Sequence, residues 1–260
     1  MQRIPRFSRA WRPALLLPVL VLLGACASKD DSIEVTSTPE QMYADAHAAV
    51  EEENFSDAVS RLEALETRYP FSRYAQRAQV ELVYVYYRRR EWEQAAAAAQ
   101  RFLQEYPQHP DAAYVRYLLG VVNFERALGF LERSVLPVSN EEMDPRYARA
   151  SFDAFNALLR RHPYSEYGPD ARQRMIFLRN RLANYDLRIA EYYLDRGAYL
   201  GAANRAQDLV TRYPGADATL PALEIMVEAY ERLGMNALAT QSRQLLEENE
   251  KALAEIRPGD

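Results

Sequence analysis

Cysteine, histidine and glycine are scarce in this chain, and their scarcity excludes several kinds of site. The 260 residues contain one cysteine, Cys26, and three histidines. An intrachain disulfide is therefore excluded, and no His-x-x-x-His or Glu-x-x-His motif is present to ligate a metal. The nine glycines form no phosphate-binding loop, and no Asn-Gly or Asp-Gly marks a β-hairpin. We expect no catalytic residue, no metal, no cofactor and no β-sheet.

A long apolar run is also missing, and the longest one near the N-terminus is Ala14–Leu23. It is too short to cross about 30 Å of hydrocarbon as a helix. Four arginines and no acid precede it, an order that is typical of a secretory signal peptide. The run ends in Leu23-Gly24-Ala25-Cys26, which resembles the bacterial lipobox. The resemblance implies cleavage before Cys26 and acylation of its thiol.

A lipoprotein signal peptide over residues 1–25 predicts a membrane-anchored mature chain, because several acyl chains make an effectively permanent anchor. The residue after Cys26 is Ala27 rather than Asp, which by resemblance to other lipoproteins points to the outer membrane. Residues 26–39 show no periodicity and are predicted to form a flexible tether. The alternative is an ordinary signal peptide cut after Ala25, which would leave Cys26 as a free thiol.

The charge balance is acidic. The full chain has 32 basic and 37 acidic residues, a net charge of −5. Loss of the four leader arginines leaves 28 basic residues and a net charge of −9. An acidic mature chain lacks the electrostatic footprint of a nucleic-acid-binding protein. We therefore expect no nucleic-acid partner.

The rest of the chain is repetitive. Four segments end in Tyr-Pro or His-Pro, at Pro70, Pro107, Pro163 and Pro214. Each follows an alanine-led stripe at helical spacing. The stripes are Ala58-Leu62-Leu65, Ala95-Ala99-Phe102, Ala150-Ala154-Leu158 and Ala202-Ala206-Leu209. The prolines lie 37, 56 and 51 residues apart, against about 34 for a tetratricopeptide repeat. The pattern predicts such repeats with insertions, with Gly120 as a further small packing position.

The predicted fold is an all-α solenoid of about five tetratricopeptide-like helix pairs. Gly129–Asp144 is predicted to be a loop, with Asp144 and Pro145 restarting the helix. A long helix then runs over 168–196 and ends at Gly197. The first three pairs occupy 40–163, the last two occupy 164–255, and 256–260 form a tail. The predicted pairs are 40–52 with 56–69, 72–90 with 92–106, 110–132 with 145–162, 168–196 with 199–213, and 216–233 with 236–254.

The first helix of each pair lines the concave face of such a solenoid. The repeat frame places aromatic side chains there, which favours a peptide-binding groove because tyrosine offers a large rigid surface with a polar tip. The alternative is that these side chains only pack helices together. Arg88, Arg89 and Arg90 come directly after Tyr87, at the end of the predicted helix. They either form a solvated, cationic helix end or bind the carboxylate of a peptide. The predicted groove residues are Tyr43, Tyr84, Tyr87 and Tyr117, with His47, Val80, Tyr114 and Phe124 on or near the face.

Five motifs go beyond the generic repeat. They are Arg-Tyr-Pro-Phe at 68–71, Tyr-Val-Tyr-Tyr at 84–87, Asp-Pro-x-x-Ala-Arg-Ala-x-Phe at 144–152, Leu-x-x-Arg-Leu-Ala-x-Tyr at 178–185 and Ala-Glu-Tyr-Tyr-x-x-Arg-Gly-Ala at 190–198. Together with the lipobox they resemble the BamD (ComL) family of outer-membrane β-barrel assembly. The resemblance runs from the lipobox to about residue 245.

The resemblance implies a non-enzymatic lipoprotein scaffold that faces the periplasm. Its C-terminal repeats would dock on the periplasmic domain of the barrel protein BamA, and its N-terminal groove would receive unfolded outer-membrane protein precursors. Other lipoproteins of the assembly machine are possible partners. Arg205, which follows Asn204, is carried over as a BamA contact, with Arg196 as a second. The alternative for both arginines is an intramolecular ion pair with Glu191 or Asp208.

Two other functions fit parts of the pattern. A periplasmic tetratricopeptide lipoprotein of cell-wall or division-site coordination would share the lipobox and the generic repeat, but gives no reason for the long 168–196 helix or the Arg-Gly-Ala turn. An enzyme built on a solenoid would require a catalytic domain beyond the repeats, which run to about residue 254. The assembly scaffold is therefore the preferred interpretation.

Overall fold

The computed structural model describes residues 37–128 and 144–256, which form ten α-helices and, within these ranges, no β-strand. Each helix packs on the next, so the helices form five antiparallel pairs and confirm the predicted fold class. The signal peptide, Cys26, residues 129–143 and the last four residues lie outside the described residues. The helices are α1 (Pro39–Glu51), α2 (Phe55–Arg68), α3 (Arg73–Arg88), α4 (Trp92–Glu105), α5 (Ala112–Leu128), α6 (Pro145–Arg161), α7 (Gly168–Asp195), α8 (Tyr199–Arg212), α9 (Thr219–Arg232) and α10 (Asn236–Ile256).

Side-chain caps fix the starts of several helices. Thr38 forms a capping box with Gln41: the Gln41 backbone N–H donates to Thr38 Oγ1 over 3.2 Å, and the Thr38 N–H donates to Gln41 Oε1 over 3.1 Å. The predicted restart at Asp144 and Pro145 is confirmed, since Asp144 Oδ1 accepts the Arg146 N–H over 2.9 Å and Pro145 occupies the first turn of α6. These caps satisfy backbone donors that have no partner inside the helix.

The turns within four of the pairs share one C-terminal cap. In each turn one residue has a left-handed backbone, with φ between 58° and 70°. Its N–H and the next N–H bond back to the preceding turn of helix, as in Glu53 N–H to Val50 O and Asn54 N–H to Ala49 O. Gly197, predicted to end the long helix, is one of these residues. The four are Glu53, Arg90, Gly197 and Gly234.

The turns between pairs are also alike. The residue before each turn proline donates its N–H to the carbonyl four residues earlier, over 2.8–2.9 Å. The proline cannot continue this ladder because it has no N–H. Each second helix therefore ends where the sequence predicted. The four capping residues are Tyr69, Tyr106, His162 and Tyr213.

Small or compact apolar side chains on the second helices form the centre of each pair. Counted back from the turn proline, the same three positions are fully buried in four second helices. Burial of this stripe is what holds an amphipathic helix in place. The positions are Ala58, Leu62 and Leu65 in α2, Ala95, Ala99 and Phe102 in α4, Ser151, Phe155 and Leu158 in α6, and Ala202, Ala206 and Leu209 in α8.

The stripe predicted for α6 is wrong at its first position. Ala150 is only half-buried, and Ser151 occupies the core position instead. Ala154 is buried as predicted, next to the fully buried Phe155. A serine fits because its hydroxyl donates to the carbonyl of Gly120 over 2.8 Å, so the buried hydroxyl of Ser151 is not left unpaired. The predicted stripe was based on the spacing of alanines, and so it did not include Ser151 and Phe155.

Gly120 of α5 compensates for the large ring of Phe155. A Cβ on Gly120 would lie 2.4 Å from Cε1 of Phe155, closer than side-chain atoms pack. The third pair therefore places its small residue on the first helix rather than on the second. The predicted role of Gly120 as a close-packing position is confirmed.

The first helices form the inner layer of the array. α1 contacts α3, α3 contacts α5, and α7 contacts α9, whereas no comparable contact joins second helices within the described ranges. Helices that approach each other on one side only make the array curve toward that side. Val80, predicted to lie on this face, is instead buried in the core beside Val83 and Phe102, which corrects that assignment.

We expect Gly120→Ala to lower the free energy of unfolding by about 1–3 kcal/mol, because the added methyl overpacks the Phe155 ring. Urea denaturation of the single variants and of the double variant with Phe155→Leu would measure this. The leucine should recover much of the loss caused by the alanine. Independent, additive effects of the two substitutions would contradict the contact.

Arg90→Gly should stabilise the chain by roughly 1 kcal/mol, because glycine adopts the left-handed conformation without the strain of a Cβ. Gly234→Arg at the equivalent turn is the matched reverse change and should destabilise the chain by a similar amount. Denaturation midpoints of both variants test this pair. Destabilisation by Arg90→Gly would show that the arginine side chain, rather than the backbone, supports this turn.

Candidate partner-binding surfaces

The N-terminal part of the inner face is organised around the carboxylate of Glu81. Tyr43 Oη donates to Glu81 Oε1 over 2.6 Å, and His47 Nδ1 lies 2.7 Å from the same oxygen. Burial, followed by the hydrogen bond to Glu81, raises the pKa of Tyr43, so the phenol remains a donor. Residues of α1 are thereby fixed to α3. Tyr43 has a defined orientation rather than a free ring.

A second ring and a guanidinium extend this cluster. The Tyr43 and Tyr74 rings lie 5.7 Å apart, and the Arg77 guanidinium lies 6.0 Å from the centre of each. Tyr43 also stacks on His47 at 5.8 Å. Rings and cations arranged in this way can contact aromatic and extended peptide groups.

Tyr84 and Arg88 form the next part of the face. Arg88 Nη1 donates to Tyr84 Oη, and its Nη2 lies 2.7 Å from Glu53 Oε1. The same guanidinium lies 4.9 Å from the centre of the Phe55 ring. Hydrogen bonds to Glu53 and Tyr84 raise the pKa of Arg88. Arg88 therefore already has a carboxylate partner.

The other two arginines of this run differ in role. Arg89 pairs with Glu91 at 2.8 Å, and Arg90 carries the left-handed backbone of the turn. The run is therefore not a free cationic site for a peptide carboxylate, except through Arg90, which is exposed.

Tyr87 is half-buried and packs between helices. Its ring lies 5.8 Å from that of Trp92, and it contacts three separate clusters of buried side chains. Tyr87 therefore packs helices together, which was the alternative to peptide binding for the predicted groove tyrosines. Whether Tyr87 also contacts a bound peptide remains a prediction.

Tyr117 is joined to α7 by a shared carboxylate. Tyr117 Oη donates to Asp170 Oδ2 over 2.8 Å, and Arg174 Nε donates to the same oxygen over 2.7 Å. Burial alone would raise the pKa of Asp170, but the hydrogen bonds from Arg174 and Tyr117 lower it. Tyr117 also stacks on Tyr167 at 4.8 Å, and Tyr114 lies 5.7 Å from Tyr167. The ring of Tyr117 is thus held at the junction of α5 and α7.

Phe124 continues the aromatic lining. It lies 5.6 Å from Phe177, and the Arg174 guanidinium is 4.9 Å from its ring centre. The structure therefore brings the predicted tyrosines together with partners that sequence reasoning missed, namely Glu81, Asp170 and Arg174. The sequence did contain a signal for these partners. It consists of acidic residues in first helices, at positions that face a tyrosine of the neighbouring first helix.

Arg205 and Arg196 lie on a different surface, formed by α8 and the α7–α8 turn. Both are exposed. The Arg196 guanidinium lies 4.8 Å from the centre of the Tyr192 ring. Neither arginine forms an ion pair with Glu191, Asp208 or any other acid in the part of the chain that the structure describes, and Asp208 pairs instead with Arg212. The intramolecular alternative for these two arginines is therefore not observed.

Exposed apolar side chains lie in and near the α7–α8 turn, which contains Arg196, and the sequence pattern did not predict them. Tyr192 and Leu200 are 55% and 52% exposed near the α7–α8 turn. Leu233 and Met235 are exposed in the α9–α10 turn. Arg232 at the end of α9 lies 5.8 Å from the Tyr199 ring, so the two turns are neighbours. The sequence signal for such a surface was the presence of apolar residues in predicted turns, where they cannot contribute to the core.

Across residues 37–128 and 144–256, no three His, Cys, Asp or Glu side chains are placed to hold a metal ion. No helix within those same stretches combines the length and the apolar character that a membrane span requires.

Comparison with known proteins gives extensive matches. The family model YfiO, described as "Outer membrane lipoprotein", matches residues 36–245. The outer membrane protein assembly factor BamD of Vibrio cholerae is 36% identical over 233 residues, 90% of this chain and 96% of the relative. BamD of Neisseria meningitidis serogroup A is 37% identical over 87% of this chain and 86% of the relative. BamD of Haemophilus influenzae is 31% identical over 93% and 92%.

Solved structures that resemble the chain are more distant. The crystal structure of a tetratricopeptide repeat protein from Parabacteroides merdae has a TM-score of 0.38 at 13% identity, covering 80% of this chain and 78% of that one. The family and its curated relatives, in contrast, match nearly the whole described array. The chain therefore belongs to the YfiO family of outer membrane lipoproteins.

Proposed function

We propose that this chain is a non-enzymatic scaffold for the assembly of β-barrel proteins in the outer membrane. The observation that carries the proposal is that curated relatives named outer membrane protein assembly factor are 31–37% identical over nearly their whole length. Similarity over the entire repeat array supports a shared function rather than a shared repeat alone. The two separate surfaces on the array support a scaffold, because a scaffold has to bind more than one partner.

The chain would be held on the outer membrane by acyl chains on Cys26 and would face the periplasm. Residues 1–25 would be removed as a signal peptide, and the residues from Cys26 to the Thr38 cap of α1 would act as the tether, which is therefore shorter than the predicted 26–39. Several acyl chains are needed for this, since a single chain gives only marginal binding. The family description as a lipoprotein supports this anchor.

The C-terminal repeats, 164–255, would dock on the periplasmic domain of BamA through Arg205, with Arg196 beside it. An exposed arginine without an internal acid partner is suited to pair with a carboxylate of another protein. The exposed apolar side chains Tyr192, which Arg196 contacts, and Leu200, at the start of α8, would supply the buried part of such an interface. The arrangement combines a charged anchor with apolar contact area.

The N-terminal repeats, 40–163, would receive unfolded barrel precursors along the inner face. Tyr43, Tyr84 and Tyr117 present half-buried rings whose hydroxyl groups are already hydrogen-bonded within the chain. Their remaining exposed surface is the ring itself. Ring surface favours aromatic and aliphatic side chains of an extended peptide, and rigid rings lose little entropy on binding.

Arg205→Glu should weaken BamA binding by about 2 kcal/mol or more, roughly 30-fold in Kd, because the charge pair becomes a repulsion. Co-purification of the lipidated chain with BamA from solubilised outer membranes measures this. Arg101→Glu reverses the charge of another exposed arginine on a second helix, although this one pairs with Glu66 in its own chain; it is the control and should leave BamA binding intact. Recovery of no barrel protein with the parent chain would instead favour a cell-wall scaffold.

The family resemblance implies that barrel precursors end in an aromatic C-terminal signal. Tyr84→Ala should weaken binding of a peptide that carries this signal by about tenfold, the loss expected for a well-packed aromatic contact. Tyr86→Ala is the matched control. Its ring is on the same helix, but its hydroxyl donates to Glu63 of α2, away from the inner face. Fluorescence anisotropy with a labelled peptide would measure both Kd values, and equal losses for the two variants would contradict the groove.

A further inference from the structure

One edge of the array carries all the turns between helix pairs. Second helices end and first helices begin at this edge, so the start of α1 at Thr38 lies there too. Each of the four turns contains one of the repeat prolines. We call this the proline edge, and define it by Thr38 and the turns that contain Pro70, Pro107, Pro163 and Pro214.

Two aromatic side chains on the proline edge are almost completely exposed. Phe71 and Tyr164 each have 99% of their surface accessible, and each follows a turn proline. The equivalent residues of the other two turns are Gln108 and Gly215. Packing cannot account for a ring that contacts nothing in its own chain, and a fully exposed phenylalanine loses the free energy that burial would supply.

Arginines accompany both exposed rings. Arg68 and Arg73 flank Phe71, and Arg73 is exposed. Glu66, the nearest acid before Phe71, is paired with Arg101 at 3.0 Å. The pKa of Arg73 is raised, first by its hydrogen bond to Tyr74 and to a smaller degree by Glu40, in the first turn of α1. The start of α1 and the Phe71 turn are therefore neighbours on this edge.

The Tyr164 turn repeats this pattern. Arg160 and Arg161 precede it and are exposed, with Glu166 as the exposed acid that follows. The Pro107 turn, which has no exposed ring, is instead flanked by the acids Glu105 and Asp111. The Pro214 turn, which also has no exposed ring, has Arg212 before it and Asp217 after it. Each exposed ring thus has two arginines within five residues, although Asp111 also lies beside the Tyr164 turn, and neither of the other two turns has two arginines within that distance.

We propose that the proline edge rests on the phospholipid surface of the membrane, with Phe71 and Tyr164 in the headgroup region and the flanking arginines near lipid phosphates. Aromatic rings are favoured at this depth, and each arginine near an anionic surface adds attraction. The lipid source is the bilayer that holds the acyl chains, so the inference rests on the Cys26 anchor of the proposed function.

The length of the anchor favours this edge over the opposite one. Eleven residues separate Cys26 from Thr38, and a chain of that length spans at most about 40 Å when fully extended. It reaches the array at the proline edge, where α1 starts. The opposite edge lies further away by the length of a first helix, about 24 Å for the 16 residues of α3. Contact with the bilayer through the proline edge requires no extended anchor.

The experiment uses the full lipidated chain in vesicles of phosphatidylethanolamine and phosphatidylglycerol whose acyl chains are brominated, because bromine quenches tryptophan on contact. Trp92→Phe removes the tryptophan of the described array. Into that background Phe71→Trp and Tyr164→Trp are introduced one at a time. Leu233→Trp, at the opposite edge, is the matched control because Leu233 lies in a turn within a pair.

The expected result is loss of most of the fluorescence for Phe71→Trp and Tyr164→Trp, and little loss for Leu233→Trp. At about 1 M salt, where the Debye length falls to about 3 Å, the quenching should decrease because the arginine contribution is screened. Equal quenching at all three positions, or none at residues 71 and 164, would overturn the proposal. If the quenching is unchanged by salt, the claim that the flanking arginines contribute to membrane contact is wrong.

Three controls separate this inference from the proposed function. Flotation of the chain with the vesicles tests the anchor, and failure to float would overturn both proposals together. Flotation without quenching would overturn the membrane contact alone. If a barrel-signal peptide in detergent, but not lipid, shifts the fluorescence of Phe71→Trp, the edge binds precursors and the membrane proposal is wrong. Co-purification of BamA with Phe71→Ser/Tyr164→Ser should persist, because these side chains lie away from Arg205.

Discussion

Close approach of paired helices through small side chains is the constraint on which the rest of this structure depends. In α2, α4 and α8 an alanine at the first stripe position lets the neighbouring first helix pack against the backbone. The third pair supplies its small residue by a different route, with Gly120 of α5 facing Phe155 of α6. Each helix packs on the next along the chain, so successive pairs stack in one array. The aromatic face and the proline edge both result from that stacking.

The inner face is held in place by carboxylates rather than by apolar packing alone. Glu81 accepts a hydrogen bond from Tyr43 and contacts His47, both on the preceding first helix. Asp170 accepts a hydrogen bond from Tyr117 of the preceding first helix in the same way. Each bond ties a first helix to the next, so the rings that would contact a peptide have fixed positions before any peptide arrives. Preorganisation of this kind lowers the entropic cost of binding. The same bonds occupy the acids, which leaves ring surface rather than charge for a partner.

Much of the fold could be predicted from the sequence because its signals are local. Prolines after Tyr or His, the Asp144-Pro145 start and Gly197 each act within a few residues, and the structure places helix ends there. The register of α6 could not be predicted, since the identity of its core residues depends on Gly120, 31 residues before Ser151. The acids that hold the tyrosines are equally distant, with Glu81 38 residues from Tyr43. Left-handed Glu53 and Arg90 give no local signal, because most such residues are glycine.

Whether an arginine is paired with an acid of its own chain distinguishes surfaces that stabilise the chain from surfaces that can bind another protein. Arg88, Arg174 and Arg212 each lie beside an acid of their own chain, and so are already neutralised. Arg205 is exposed and forms no ion pair within the described residues, because Asp208 of the same helix pairs with Arg212 instead. Arg196 is likewise exposed and lies against the exposed ring of Tyr192. A cation without an acid partner beside an exposed apolar side chain contributes nothing to the stability of the isolated chain. Such a combination gains free energy only when another surface covers it, which is why the α7–α8 region, rather than the larger arginine run at 88–90, is the stronger candidate for a permanent interface.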